Sequence, residues 1–362
     1  MKLERLVRPT IATMETYKHV FPLDIVAARL GFAPEAIVKL DANENPYGTS
    51  PRVRAAVANL PYIHVYPDSD SHYLRAALSD FTGLPAENLL AGAGADEMID
   101  LIMRTFLDPG DAILNCPPTF GMYSFDAAIA GARVVSVQRG PDFALNLGLV
   151  EEAVRQHNPK LLFVTSPNNP DGSWVSDDDL RRLLRLPLMV IVDEAYVEFA
   201  GSGVSRIGWV PQHDNLIVLR TFSKWAGLAG LRVGYGAFPT WLVPHMRKIK
   251  QPYSVSMAAS AAALAALEDH VFLQQLVARI VEERERLWGL LAQIPYLKPY
   301  PSRANFILCR VIGRDARQLK EELDQMGILV RYFDKPGVTD HIRISVGRPQ
   351  DSDALLAALR GL

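Results

Sequence analysis

The chain has 362 residues, 49% of them hydrophobic and 22% charged, with a net charge of −2. This is the balance of a globular enzyme with a sizeable core and room for two domains. It excludes the basic footprint of a protein that binds nucleic acid or an anionic membrane surface.

Two cysteines, Cys116 and Cys309, cannot build a disulfide framework. The stretch Met1 to Pro9 carries no apolar signal core, so a reducing cytoplasm is expected. The most apolar helix candidate, Val255 to Leu267, falls short of the about 20 residues that a bilayer requires. The eight histidines are scattered, with no His-Glu-x-x-His, Cys-x-x-Cys or Gly-x-Ser-x-Gly pattern. Neither a metal site nor a serine-hydrolase elbow is expected.

Residues 1 to about 40 form a lead-in, with a short helix over Pro22 to Leu30 closed by Gly31. A polar, turn-rich loop follows, Lys39 to Gly48. Helical spacing covers Val53 to Leu60 and Ser71 to Thr82, where Leu74, Leu78 and Phe81 share one face. A short apolar run, Leu89 to Ala91, leads through Gly92-Ala93-Gly94-Ala95-Asp96-Glu97 into an amphipathic run, Met98 to Leu107.

Apolar strands are expected at Ala112 to Asn115, Arg133 to Val137, Leu161 to Thr165, Leu188 to Val192 and Leu216 to Leu219. Helical runs such as Leu147 to Gln156 and Ser176 to Leu186 lie between them. Continuous apolar strands alternating with amphipathic helices argue for an α/β fold with a mostly parallel sheet.

The last third changes character. Long helices are expected over Met257 to Leu267 and Phe272 to Ile294, the second with Glu282 to Arg286 on its solvated face. Strands at Phe306 to Val311, Ile328 to Tyr332 and His341 to Val346 alternate with helices at Ala316 to Met326 and Ser352 to Leu359, an α+β unit. The boundary is expected around 245 to 275, dividing the chain at residues 1–50, 51–250 and 251–362.

Four segments carry chemistry. Glycines at Gly92 and Gly94 before a helix let backbone N–H groups reach an anion, although a plain cap by Asp96 would also explain them. A dinucleotide fingerprint fails, because Glu97 stands where the third glycine belongs. Asp193 follows an apolar strand, at the end where α/β folds bind ligands, and no phosphate-binding Gly-Lys-Ser/Thr loop precedes it to make it a metal ligand. Ser166-Pro167-Asn168-Asn169-Pro170-Asp171-Gly172 is either a simple turn or an amide presented at the same crevice.

Lys224 follows the strand Leu216 to Leu219 among hydroxyls and glycines, with Arg232 eight residues on. Alone it reads equally as a solvated lysine on a turn. The four together suit a phosphorylated pyridine aldehyde: a lysine for the Schiff base, a carboxylate for the ring nitrogen and a helix N-terminus for the phosphate.

With six motifs in order, the chain resembles the fold-type I pyridoxal-phosphate aminotransferases, and among them the histidinol-phosphate branch. The motifs are LDANENPYG (40–48), CPPTFGMY (116–123), SPNNPDG (166–172), DEAYVEF (193–199), TFSKWAGLAGLRVG (221–234) and IRISVG (342–347). The resemblance implies a large cofactor-binding α/β domain, with a smaller α+β domain to which residues 1–50 contribute.

It also implies pyridoxal 5′-phosphate as cofactor, with Lys224 as Schiff-base lysine and proton-shuttling base and Asp193 against the ring nitrogen. Tyr196 and Asn169 would bond the phenolic oxygen, and Phe120 would stack on the ring. Gly94, Ala95, Asp96, Ser223 and Arg232 would lie at or beside the phosphate. Tyr66 would reach the cofactor of a neighbouring subunit, which implies a homodimer with shared sites. Arg343 would take a substrate carboxylate and Arg331 a substrate phosphate, with Asn45 and Tyr17 facing the substrate.

The implied reaction transfers an amino group between glutamate and imidazole-acetol phosphate, giving 2-oxoglutarate and histidinol phosphate. A threonine-phosphate decarboxylase or an aromatic aminotransferase would use the same lysine and aspartate. A non-catalytic regulator on this scaffold would need a nucleic-acid-binding segment, for which the chain has neither room before Leu40 nor a basic patch. Two positions depart from the family pattern: Asp171 stands where threonine is usual, and Phe120 where tyrosine is common.

Overall fold

The computed structural model describes residues 3–14, 16 and 21–362. Twelve strands form two sheets among the described residues. They are β1 (Val38–Leu40), β2 (Leu89–Gly92), β3 (Ala112–Asn115), β4 (Arg133–Ser136), β5 (Leu161–Thr165), β6 (Met189–Asp193), β7 (Leu216–Thr221), β8 (Gly234–Ala237), β9 (Leu297–Pro299), β10 (Phe306–Val311), β11 (Ile328–Tyr332) and β12 (His341–Ser345).

The first sheet runs β2-β8-β7-β6-β5-β3-β4. Strands β3 to β7 are parallel, and β8 is antiparallel to both its neighbours. Every residue of β5, β6 and β7 is buried, which is why they read as unbroken apolar runs rather than alternating ones. Register sets the ends of β5 and β6 side by side, since Thr165 pairs with Asp193. Asp193 in turn pairs with Leu219 of β7, five residues before Lys224.

The second sheet runs β1-β11-β12-β10-β9. Strand β1 joins it parallel to β11, so the N-terminal segment supplies its edge. The remaining pairings are antiparallel.

Serine caps fix several helix starts. The Ser50 hydroxyl accepts from Val53 N, Ser176 from Asp179 N and Ser256 from Ala259 N. The first starts its helix at Pro51, two residues earlier than periodicity implied. Gly31, in the left-handed region, ends the helix Leu23–Leu30 as expected. Helices Met122–Ala130 and Val243–Ile249, and strands β1 and β9, lack a legible period and were not anticipated.

The long helices of the last third pack on more than one core. The helix Met257–Glu268 buries Ala259, Ala262 and Ala266 in the same core as Val53, Leu74 and Leu78 of the first unit. The next helix, His270–Leu291, gives Leu273 and Ile280 to that core, but Leu287 and Leu291 to the core under the second sheet. Beyond this helix, Ala304, Phe306 and Val346 return to the first core, so the two cores are not divided at one point along the chain.

Nor is its charged stretch solvated throughout. Glu283 and Arg284 are buried. Arg284 Nη1 donates to Phe199 O and Ala304 O, both at 3.0 Å, and Glu283 receives Arg286. No helix among the described residues is long and apolar enough to cross a membrane.

Candidate active site

Lys224 sits three residues beyond β7, in a loop closed by Phe222 N to Val233 O and Leu228 N to Phe222 O, both 3.1 Å. The buried rings of Phe222 and Trp225 anchor it. Gly227 has φ of +68°, and a Cβ there would run into the Gly48 backbone, so the Lys39 to Gly48 loop packs directly on the lysine loop. Lys224 Nζ donates to Ala42 O at 3.1 Å. Burial lowers the amine to about 8, helped by the nearby Arg343 cation.

Asp193 ends β6 and is 3% exposed. Its Oδ2 accepts from Tyr123 OH at 2.7 Å and its Oδ1 from Ala195 N at 3.0 Å. Burial pushes this carboxyl up to about 6. Three residues on, Tyr196 OH accepts from Asn43 Nδ2 at 3.1 Å and Asn169 Nδ2 at 3.4 Å. Its ring centre lies 5.9 Å from Lys224 Nζ. Phe120, half-buried, meets Tyr123 edge-on at 5.6 Å.

Gly94, with φ of +85°, opens the helix Ala95–Phe106, and no side chain caps its start. Asp96 does not cap it either: its carboxylate receives Arg232 Nη2 at 2.7 Å. Glu97 instead reaches back to Ala93 N at 2.5 Å. A Cβ on Gly234 would meet Ala95 N at 2.6 Å, so the bare β8 backbone lets the helix end come close. Arg232 Nη1 lies 3.5 Å from Ser223 Oγ, which receives Thr221 Oγ1 at 2.9 Å. Open helical N–H groups, a guanidinium and a hydroxyl together make an anion cradle.

Arg343 comes from β12 of the second sheet. Its Nη1 donates to Asn169 Oδ1 and its Nη2 to Asp41 O, both at 2.7 Å, and its guanidinium lies between Phe306 and Phe333. Arg331 of β11 faces it in register and lies 5.9 Å from the Phe333 ring.

Asn45 is tied down: Nδ2 donates to Trp225 O and Oδ1 accepts from Tyr47 N, both at 3.0 Å. Its amide holds the loop, while Asn43 is the asparagine that reaches Tyr196. Tyr66 stands apart, 79% exposed and stacked on Tyr253 at 4.8 Å. Tyr17 lies outside the described residues.

The structure thus gathers Lys224, Asp193, Asn169, Tyr196 and Arg343 around one crevice, with the cradle at the first sheet's edge. Sequence reasoning left out Asn43 and Tyr123, although both lie inside motifs that it singled out.

The family model for aminotransferase class I and II matches residues 35–359. The chain is 52% identical to a chloroplastic histidinol-phosphate aminotransferase of Nicotiana tabacum, over 99% of this chain and 86% of that one. It is also 52% identical to a histidinol-phosphate aminotransferase of Roseiflexus castenholzii, over 98% and 97%. The crystal structure of the Sinorhizobium meliloti histidinol-phosphate aminotransferase, in complex with pyridoxal-5′-phosphate, superposes with a TM-score of 0.89 at 28% identity, covering 98% and 97% of the two chains. The chain belongs to the class I and II aminotransferases, and within them to the histidinol-phosphate aminotransferases.

Proposed function

We propose that this chain transfers an amino group from glutamate to imidazole-acetol phosphate, releasing 2-oxoglutarate and histidinol phosphate, with pyridoxal 5′-phosphate as cofactor. The observation that carries the reading is the juxtaposition of Lys224 and Asp193 at the ends of neighbouring parallel strands, with Arg343 reaching in from the other sheet.

The residues fit the cofactor. Asp193 is a buried carboxylate that receives a phenol and a backbone N–H, donors with no positive charge, so a protonated ring nitrogen suits it. The bare start of the helix Ala95–Phe106, with Ser223 and Arg232, suits the phosphate. Lys224 would hold the aldehyde carbon, Asn169 and Tyr196 the phenolic oxygen, and Phe120 one ring face.

When bound, the cofactor supplies an electron sink for the amino acid's Cα. A Lys224 amine lowered to about 8 is part neutral near neutral pH, and so could take the proton from Cα and deliver it to the cofactor carbon that carried the aldehyde. Arg343 grips the glutamate carboxylate with the planar fork that arginine offers. Asn169 and Asp41 O hold that fork in place. Arg331 receives the phosphate of the second substrate.

The same reading makes the protein a cytoplasmic homodimer in histidine biosynthesis, with Tyr66 completing the partner's site. It divides the chain into a large unit, residues 51–250, and a small one, residues 251–362 with residues 1–50, to whose sheet β1 belongs. A donor panel tests it: histidinol phosphate should support turnover with 2-oxoglutarate, well above phenylalanine or threonine phosphate. Failure of histidinol phosphate to turn over would overturn the substrate assignment.

A further inference from the structure

Behind Asp193 runs a chain of hydroxyls that the reaction above does not use. Tyr123 OH lies 2.7 Å from Asp193 Oδ2 and 2.8 Å from Thr165 Oγ1. Thr165 Oγ1 lies 3.1 Å from Thr119 Oγ1, which lies 2.8 Å from Asn168 Oδ1. The chain crosses five places in the fold: the end of β6, the helix Met122–Ala130, the end of β5, the loop before that helix and the turn after β5.

We propose that Tyr123 is a positioning residue for Asp193, at the head of a hydroxyl chain that pins the carboxylate plane and favours its ionised form opposite the cofactor's ring nitrogen. The proposal rests on the cofactor reading above.

Hydrogen directions follow from the two ends. Asn168 Nδ2 donates to Pro118 O and to Asp171 Oδ1, so its Oδ1 end faces Thr119 and accepts. Thr119 therefore donates there. At the other end an ionised Asp193 accepts, so Tyr123 donates to it. Thr165 in the middle has one proton and two neighbours.

Three hydroxyl protons thus serve four gaps. The gap left without one is Thr119 to Thr165, the longest of the four, when Thr165 turns to Tyr123. A fourth proton entering the chain has one place to reside, the Asp193 carboxyl. The hydroxyl order is therefore coupled to the charge on Asp193.

The negative charges of Asp96 and Glu194 act on this carboxyl and favour its neutral form. Tyr123 and the Ala195 N–H oppose them, one on each oxygen. The chain also ties Asp193 to Thr119, next to Phe120, and to Asn168, next to Asn169. The carboxylate and two further groups of the site then hold one relative placement.

The test titrates pyridoxal phosphate into the cofactor-free wild type, Tyr123→Phe, Asp193→Asn and the double variant. Tyr123→Phe keeps the ring that stacks on Phe163 at 4.7 Å, so the fold is retained. Its Kd should rise about tenfold, the usual weight of a hydrogen bond to a charged group. The long-wavelength fraction of the bound cofactor's visible band should fall with it. In the Asp193→Asn background the same change should shift Kd by less than about twofold, because there is no carboxylate left to position.

Thr165→Val should move Kd and band in the same direction by a smaller factor. Equal affinity and spectrum in wild type and Tyr123→Phe would overturn the inference while leaving the cofactor reading intact. So would the same tenfold loss in the Asp193→Asn background. A wild type that takes up no cofactor would overturn both.

Discussion

Arg331 and Arg343 stand directly opposite each other in the antiparallel register of β11 and β12, with the Phe333 ring within 6 Å of both guanidinium carbons. Like charges so placed weaken a sheet. An anion entering from the crevice would relieve the repulsion, and the two proposed substrates are anions of different kinds. Arg343→Met should raise KM for glutamate about 100-fold, while Arg331→Met should raise it about tenfold for histidinol phosphate and leave glutamate within about twofold. Steady-state kinetics with each donor checks this. Arg331→Met should also raise the melting temperature slightly, because it removes one of two facing cations.

The half-buried, poorly solvated amine of Lys224 has a consequence for stability. Its folded value of about 8 lies below the ordinary 10.5, so between these values the unfolded chain binds more protons. Stability of the cofactor-free protein therefore rises as pH climbs from 8 to 10.5, and the full cost of the buried cation is present below 8. Lys224→Met should raise the melting temperature at pH 7 by a few degrees, with the gain shrinking towards pH 10. A gain independent of pH would mean that the lysine is not buried as a cation. The same variant should lose the borohydride-reducible adduct.

Tyr66 is exposed on the described chain, and its neighbour Tyr253 is also open to solvent. If the partner subunit's site receives Tyr66, inactive Tyr66→Ala and Lys224→Ala proteins should complement when mixed. Random reassociation gives one intact site per mixed dimer, about a quarter of wild-type activity. Mixtures no more active than their parents would place Tyr66 outside the partner's site.

Arg284 ties Phe199 O to Ala304 O, two carbonyls of the first core that lie 105 positions apart in the chain. Arg284→Met keeps the apolar stem but orphans two carbonyls, at a cost of about 2–4 kcal/mol. Urea unfolding should show this as a lower midpoint with an unchanged slope.

The order and type of most elements were legible, because β5, β10 and β11 are apolar runs bounded by turns, and their limits matched those observed. Strand β1 was not: three residues carry no period, and its partner Ile328 lies far along the chain. Arg284 misled, since in sequence a charged stretch on a helix looks solvated; what buries it is a pair of distant carbonyls. The residues that the crevice gathers, Lys224, Asp193, Asn169, Tyr196 and Arg343, all stand in motifs that the sequence shows. The facing of Arg331 with Arg343 was not, because strand register is a property of the assembled sheet.

The Asp41 to Gly48 loop touches both sheets with near neighbours in sequence. Ala42 O takes Lys224, Asp41 O takes Arg343, and Asn43 N donates to Ser345 Oγ across 302 positions. During synthesis this segment waits for the residues of β12, about 300 positions later, before it can dock fully. A nascent chain stalled before Arg343 would therefore hold Lys224 without the guanidinium and the Ser345 hydroxyl that fasten this loop from the second sheet.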